Sequence, residues 1–148
     1  MRVAVGDRGP AFRYGPITRT DLVRYAGAPG DFNPIHHDEA FARASGLPTV
    51  MAHGMFSAGL LASFVTNWFG PGSVLRYKVR FRERVFPEDV LTAEGRVTRL
   101  FETQSGESRA ELDLRLLRQD GAAVVTGTAE VICQSASDLS HRDRKARS

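Results

Sequence analysis

Apolar residues change their spacing along this chain, and the change separates a helical first half from a stranded second half. In ITRTDLVRYAG, residues 17–27, Thr18 is placed to cap a helix. Asp21 stands three residues on in a capping-box position, Leu22, Val23 and Tyr25 supply the apolar side, and Gly27 stops it. HDEAFARASG, residues 37–46, repeats the pattern with Asp38 as cap and Gly46 as terminator. Pro34 lacks an amide hydrogen and biases Asn33 away from helix, so residues 27–37 read as a rigid loop between two short helices. HGMFSAGLLASFVTNWFG, residues 53–70, has apolar or small residues on nearly every face. That predicts a buried helix over 54–69, roughly 24 Å long at about 1.5 Å per residue.

The period then becomes two. In VLRYKVRFRER, residues 74–84, Leu75, Tyr77, Val79 and Phe81 alternate with Arg76, Lys78, Arg80 and Arg82, which predicts a strand with an apolar and a basic face. DVLTAEGRVTRLF (89–101), SRAELDLRLLRQ (108–119) and AAVVTGTAEVICQ (122–134) predict three more strands, the last two joined by a turn at QDG. A buried helix followed by an antiparallel meander predicts an α+β domain whose sheet curls around the helix. With no internal repeat or low-complexity linker, residues 1–134 are expected to form one domain, as the length of 148 residues also suggests.

Composition changes this picture only at the edges. The chain is 42% hydrophobic and 25% charged, as globular proteins are. Its formal charge of +3 sits in HRDRKARS at the C-terminal end, so residues 135–148 read as a basic, disordered tail rather than a nucleic-acid footprint. Cys133, the single cysteine, is expected in the core; it excludes an intrachain disulfide and a cysteine-based zinc site and fits a reducing compartment. The beginning MRVAVGDRGPAF lacks the apolar stretch of a secretory signal, so a cytoplasmic location is expected. No Asp, Glu, Lys or Arg occurs between Arg43 and Arg76, but the helix inside that stretch is short for a membrane span and carries Ser57, Ser63, Thr66 and Asn67.

The loop concentrates the chemistry. YAGAPGDFNPIHHDEAFA, residues 25–42, resembles the signature of the MaoC-like or hydratase-2 family of (R)-specific enoyl-thioester hydratases and (3R)-hydroxyacyl-thioester dehydratases, with Gly30, Asp31, Asn33, Pro34, His36 and Ala42 in register. AHGMFSAGL is similar to the start of that family's central helix, and YKVRFRERVFPEDVLTAEGRV to its following strands. The resemblance implies a hot-dog fold, with an antiparallel sheet wrapped around a long central helix, in a homodimer or a heterodimer with another hot-dog subunit. It implies a lyase that hydrates trans-2-enoyl thioesters or dehydrates (3R)-3-hydroxyacyl thioesters carried on coenzyme A or acyl carrier protein. No cofactor and no metal is implied.

Such a reaction needs a base for water, an acid for the α carbon, and donors for the thioester oxygen. Asp31 and His36, whose ordinary pKa values of about 3.9 and 6.5 bracket the weakly acidic range, suit the first two roles. They are assigned jointly to the water, and by resemblance Asp31 takes the proton transfer at the α carbon. Asn33 orients the water or the loop. The backbone N–H of Gly54, at the amino end of the buried helix, is the candidate oxyanion donor. Each has a plainer reading: an Asx turn for Asp31, a structural histidine for His36, close helix packing for Gly54. His53 either touches substrate or braces the turn, and His37 is read as structural. His36, His37, Asp38 and His53 are ligand types for zinc, but neighbouring side chains rarely converge without a recognised spacing. Arg76, Lys78, Arg80 and Arg82 form either a solvated face or a landing surface for the phosphates of coenzyme A. Met55, Phe56, Leu60 and Phe86 line an acyl tunnel or belong to the core. A non-catalytic subunit of a heterodimer and a thioesterase on the same fold are the competing functions.

Overall fold

A computed structural model describes residues 1–135. Two short strands, β1 (Arg2–Val3) and β2 (Phe12–Tyr14), lead into α1 (Arg19–Gly27). A single 3-10 turn, Pro34–His36, and α2 (Glu39–Ala44) follow. Then come α3 (Gly54–Phe69) and the strands β3 (Val74–Phe81), β4 (Leu91–Glu102), β5 (Ser108–Arg118), β6 (Ala123–Ile132) and β7 (Gln134–Ser135). Ser135, placed in the tail by its sequence, pairs with Val3 in a parallel two-stranded sheet of β1 and β7; the remainder of the expected tail, 136–148, lies outside the described residues.

The main sheet is antiparallel, in the order β2-β4-β5-β6-β3, and it wraps α3 as the α+β hot-dog arrangement requires. β4, β5 and β6 form the expected meander. β3 departs from it: it pairs with β6, seven residues in register from Val74↔Val131 to Phe81↔Val125, and lies at the far edge from β2. The connection from β3 to β4 therefore crosses the sheet, which alternation cannot reveal because period two fixes a strand's faces and not its neighbours. β1, β2 and β7 escaped prediction since each is two or three residues long.

Alternation packs the sheet onto the helix. Leu91, Ala93 and Val97 of β4, Ala110, Leu112, Leu114 and Leu116 of β5, and Val125, Ala129 and Val131 of β6 are buried against Leu61, Phe64, Val65 and Trp68 of α3. Gly95 makes the approach possible, because a Cβ there would stand 2.7 Å from the Phe64 ring. In β3 the predicted alternation holds only in part. Tyr77 and Val79 face the core, but a bulge between Val74 and Arg76 turns Val74 inward and leaves Leu75 45% exposed. Phe81, 50% exposed, ends the strand against Gly54. The Tyr77 hydroxyl donates to the Ala58 carbonyl at 2.7 Å and fastens β3 to α3.

The central helix is less enclosed than its composition suggests. Met55, Gly59, Ser63 and Asn67, each four residues from the last, form an exposed stripe opposite the sheet. Small and polar residues tolerate water there, so an apolar average did not report the open side. Among the described residues no helix is long and apolar enough to cross a membrane.

Candidate active site

The two short helices hold the loop between them. Thr18 and Asp21 complete the capping box of α1: the Thr18 hydroxyl accepts from the Asp21 N–H at 3.1 Å and the Asp21 carboxylate accepts from the Thr18 N–H at 2.8 Å. Asp38 caps α2 by accepting from the Phe41 N–H at 3.0 Å. Arg19 and Thr49 both donate to Glu39, which ties α1 to α2, and these hydrogen bonds with that of Arg43 hold the Glu39 carboxyl at about 2. Inside the loop, Asp31 accepts from the Asn33 N–H at 3.3 Å and Asn33 accepts from the Ile35 N–H at 3.1 Å. Asp31 is thus an Asx-turn residue as well as a candidate catalyst, and the Asn33 side-chain oxygen starts the 3-10 turn, which puts its structural use in the loop.

That turn carries His36 inward. Its Nδ1 lies 2.7 Å from the Met51 carbonyl. A carbonyl only accepts, so Nδ1 bears the hydrogen and Nε2 presents a bare lone pair in the neutral ring. Burial lowers the His36 pKa below its ordinary 6.5, the Met51 hydrogen bond opposes this, and the adjacent His53 lowers it further. The ring is therefore neutral at neutral pH. Its Nε2 stands 3.9 Å from Oδ2 of Asp31, whose side chain is 50% exposed. This separation is too long for a direct hydrogen bond and short enough for one water to touch both.

His53, which precedes Gly54, occupies the centre of the arrangement. It is 2% exposed, its Nε2 donates to the Asp31 backbone carbonyl at 3.1 Å, and its ring stacks on His36 with centroids 3.7 Å apart and planes 24° from parallel. Tyr25 closes its other side at 5.0 Å. It braces both members of the pair, one of the two roles open from its sequence position. The rigid Pro34 loop foretold the pairing of Asp31 with His36; the aid from His53 was visible only as a histidine next to Gly54.

Asp31, His36 and His53 also place one ligand atom each within 4.8 Å of one another. The donor set does not fit a metal as arranged. Two stacked imidazoles direct their in-plane lone pairs side by side, and Nε2 of His53 carries the hydrogen given to Asp31. His37 and Asp38, the other ligand types in the sequence, stay apart: His37 is exposed and Asp38 caps α2.

Gly54 begins α3, whose first N–H groups have no partner in the helix, and no side chain caps them. They border a cavity of about 170 Å³ lined by Met51, His53, Gly54, Phe81 and Val85 among others. A Cβ on Gly54 would stand 3.2 Å from the Phe81 ring, so the small residue serves close packing and an open helix end together. A second, apolar hollow of about 370 Å³ is lined by His36 and His37 with Leu22, Val23, Ala26 and Phe32. Of the four residues read as tunnel or core, Phe56 is core, Leu60 packs against the core, Phe86 is half-buried and Met55 is 60% exposed. Arg76 and Lys78 lie on the outer face of the sheet among Glu111, Asp113 and Glu130. Only Arg82 of that basic row reaches the cavity beside Gly54, with Arg84.

A sheet wrapped on a central helix, with a carboxylate and a neutral imidazole facing its amino end, defines a class. The chain belongs to the MaoC-like domain family, whose sequence model matches residues 5–114. It is 36% identical to the (R)-specific enoyl-CoA hydratase of Aeromonas caviae over 113 residues, 75% of this chain and 82% of that protein. The unliganded R-hydratase of Pseudomonas aeruginosa superposes with a TM-score of 0.79 at 30% identity, covering 90% of this chain and 83% of that one. The ChsH1–ChsH2 complex of Mycobacterium tuberculosis gives 0.77 at 25% identity, covering 88% and 98%.

Proposed function

We propose that this protein is a hydro-lyase that adds water across trans-2-enoyl thioesters and, in reverse, dehydrates (3R)-3-hydroxyacyl thioesters carried on coenzyme A or acyl carrier protein. The observation that carries the reading is the bare Nε2 of His36 held 3.9 Å from the Asp31 carboxylate. Water between them gives a proton to Nε2 as its oxygen bonds to C3 of the enoyl group. The electron pair of the double bond moves toward the thioester carbonyl, whose oxygen gathers charge at the amino end of α3. The hydroxyl now on C3 still spans the 3.9 Å gap: it takes the proton back from the imidazole and gives one to the Asp31 carboxylate, which passes it to C2, and both side chains end as they began. Dehydration runs the same steps backward.

The active unit is a dimer, of two copies or with a second hot-dog subunit, working in the cytoplasm. The exposed stripe of α3 and the edge strand β3 with Leu75 and Phe81 outward support pairing, and one structural relative is itself a complex of two proteins. The test mixes purified protein with trans-2-butenoyl-CoA and follows the conjugated-enone absorbance. Loss of absorbance with no free thiol fits the lyase; thiol release without hydration makes the protein a thioesterase. Activity that appears only with a second subunit, and survives D31N here, makes this chain the structural half.

A further inference from the structure

Three hydroxyl side chains lie on α3, and two behave as helical hydroxyls usually do. Ser63 donates to the Gly59 carbonyl at 2.9 Å and Thr66 to the Ser63 carbonyl at 3.1 Å. Ser57 does not. The residue is 4% exposed, and its side chain forms no hydrogen bond with any described residue. Among the described residues the Ser57 oxygen is not one of the polar atoms sealed from solvent, so it opens on the cavity that the residue lines, where a ligand or water supplies its partner.

The place of Ser57 says what that is. It stands three residues beyond Gly54, so the two share a face of the helix one turn apart, and both line the cavity of about 170 Å³ at its amino end. Nδ1 of His53 is a buried polar atom without a partner on a residue that lines the same cavity, and with Nε2 bearing the hydrogen it accepts rather than donates. The Ser57 hydroxyl, open to the cavity beside uncapped helical N–H groups, adds a donor to a wall that faces a polar ligand atom. We infer that the Ser57 hydroxyl donates a hydrogen bond to the carbonyl oxygen of the acyl thioester, as a second donor beside the Gly54 N–H. The inference rests on the proposed reaction for its substrate class. It makes Ser57 a catalytic residue, because charge on that oxygen is larger in the transition state than in the bound thioester.

The test uses S57A and S57T with two measurements and a thermal melt. With trans-2-butenoyl-CoA, S57A is expected to lose about a hundredfold in kcat with a much smaller change in KM, and S57T, which keeps a hydroxyl, to recover most of it. S57A is also expected to melt as wild type does, since the hydroxyl removed makes no hydrogen bond to any described residue. Calorimetric binding of butyryl-CoA, a saturated thioester that cannot be hydrated, is expected to weaken several-fold in S57A. Hydration by wild type with S57A equal to it in kcat and in butyryl-CoA binding overturns the inference and leaves the lyase standing. No hydration by wild type, with butyryl-CoA bound more weakly by S57A, overturns the lyase and keeps the thioester contact. A lower melting temperature in S57A, matched by similar loss in S57T, overturns the inference by making Ser57 a packing residue.

Discussion

Replacing His36 by Asn separates its chemistry from its place in the fold. The Asn amide nitrogen falls near the position of Nδ1, so the hydrogen bond to the Met51 carbonyl, 2.7 Å in the native chain, is retained. What disappears is the basic Nε2 that faces Asp31. A positioned general base contributes about 10²- to 10⁴-fold to a rate, which at 1.36 kcal/mol per tenfold is about 2.7–5.4 kcal/mol of barrier. H36N should therefore lose that factor in kcat on trans-2-butenoyl-CoA, with KM little changed, because the side chain meets the water rather than the acyl chain. The wild-type pH profile carries the same claim. The active imidazole is unprotonated and burial lowers its pKa below 6.5, so kcat/KM should already be level at pH 7 and decline only below pH 6.5. Stability follows the same sign: the unfolded chain binds this proton more readily, so the contribution of His36 is complete above about pH 6.5 and is lost as pH falls through the folded-state value. The assay is enone absorbance at fixed substrate across pH, with circular dichroism to show that H36N folds. An H36N rate within tenfold of wild type, or an acid limb centred above 7, would refute a neutral His36 as the base.

Three further outcomes follow from the same geometry. D31N keeps an oxygen to accept from the Asn33 N–H, so it should melt as wild type does while kcat falls about 10²- to 10⁴-fold in the absorbance assay. H53A removes the hydrogen bond to the Asp31 carbonyl and the surface on which His36 stacks, and urea unfolding should show a loss of about 2 kcal/mol along with a fall in kcat. G95A sets a Cβ 2.7 Å from Cε1 of Phe64 and 3.0 Å from Cδ2 of Leu114, which should cost about 1–3 kcal/mol in urea unfolding, and F64L in the same chain should recover part of it.

Local chemistry was the legible part of this sequence. Thr18 and Asp21, Asp38, and the bend before Pro34 specify their caps and turn by short-range bonds, and α1, α2 and the loop lie where those residues place them. Period two likewise located Tyr77 and Val79 on the inner face of β3. Features set by distant parts of the chain were not legible. β3 beside β6, the bulge that turns Leu75 outward, and the pairing of β1 with β7 join segments about fifty to 130 residues apart, and no local pattern encodes such partners. In the site, Asp31 and His36 were legible because one rigid loop carries both. The ring of His53 stacks on His36 only after α3 packs beside that loop, and the place of Ser57 in the cavity wall emerges only once the fold is formed.

The most direct measurement of the central claim is the product made from trans-2-butenoyl-CoA by the purified chain, resolved by chiral chromatography beside the D31N and H36N variants. A bare imidazole and a carboxylate acting on one water should give (3R)-3-hydroxybutyryl-CoA from the wild type and almost none from either variant. Equal amounts of hydrated product from all three proteins would contradict it.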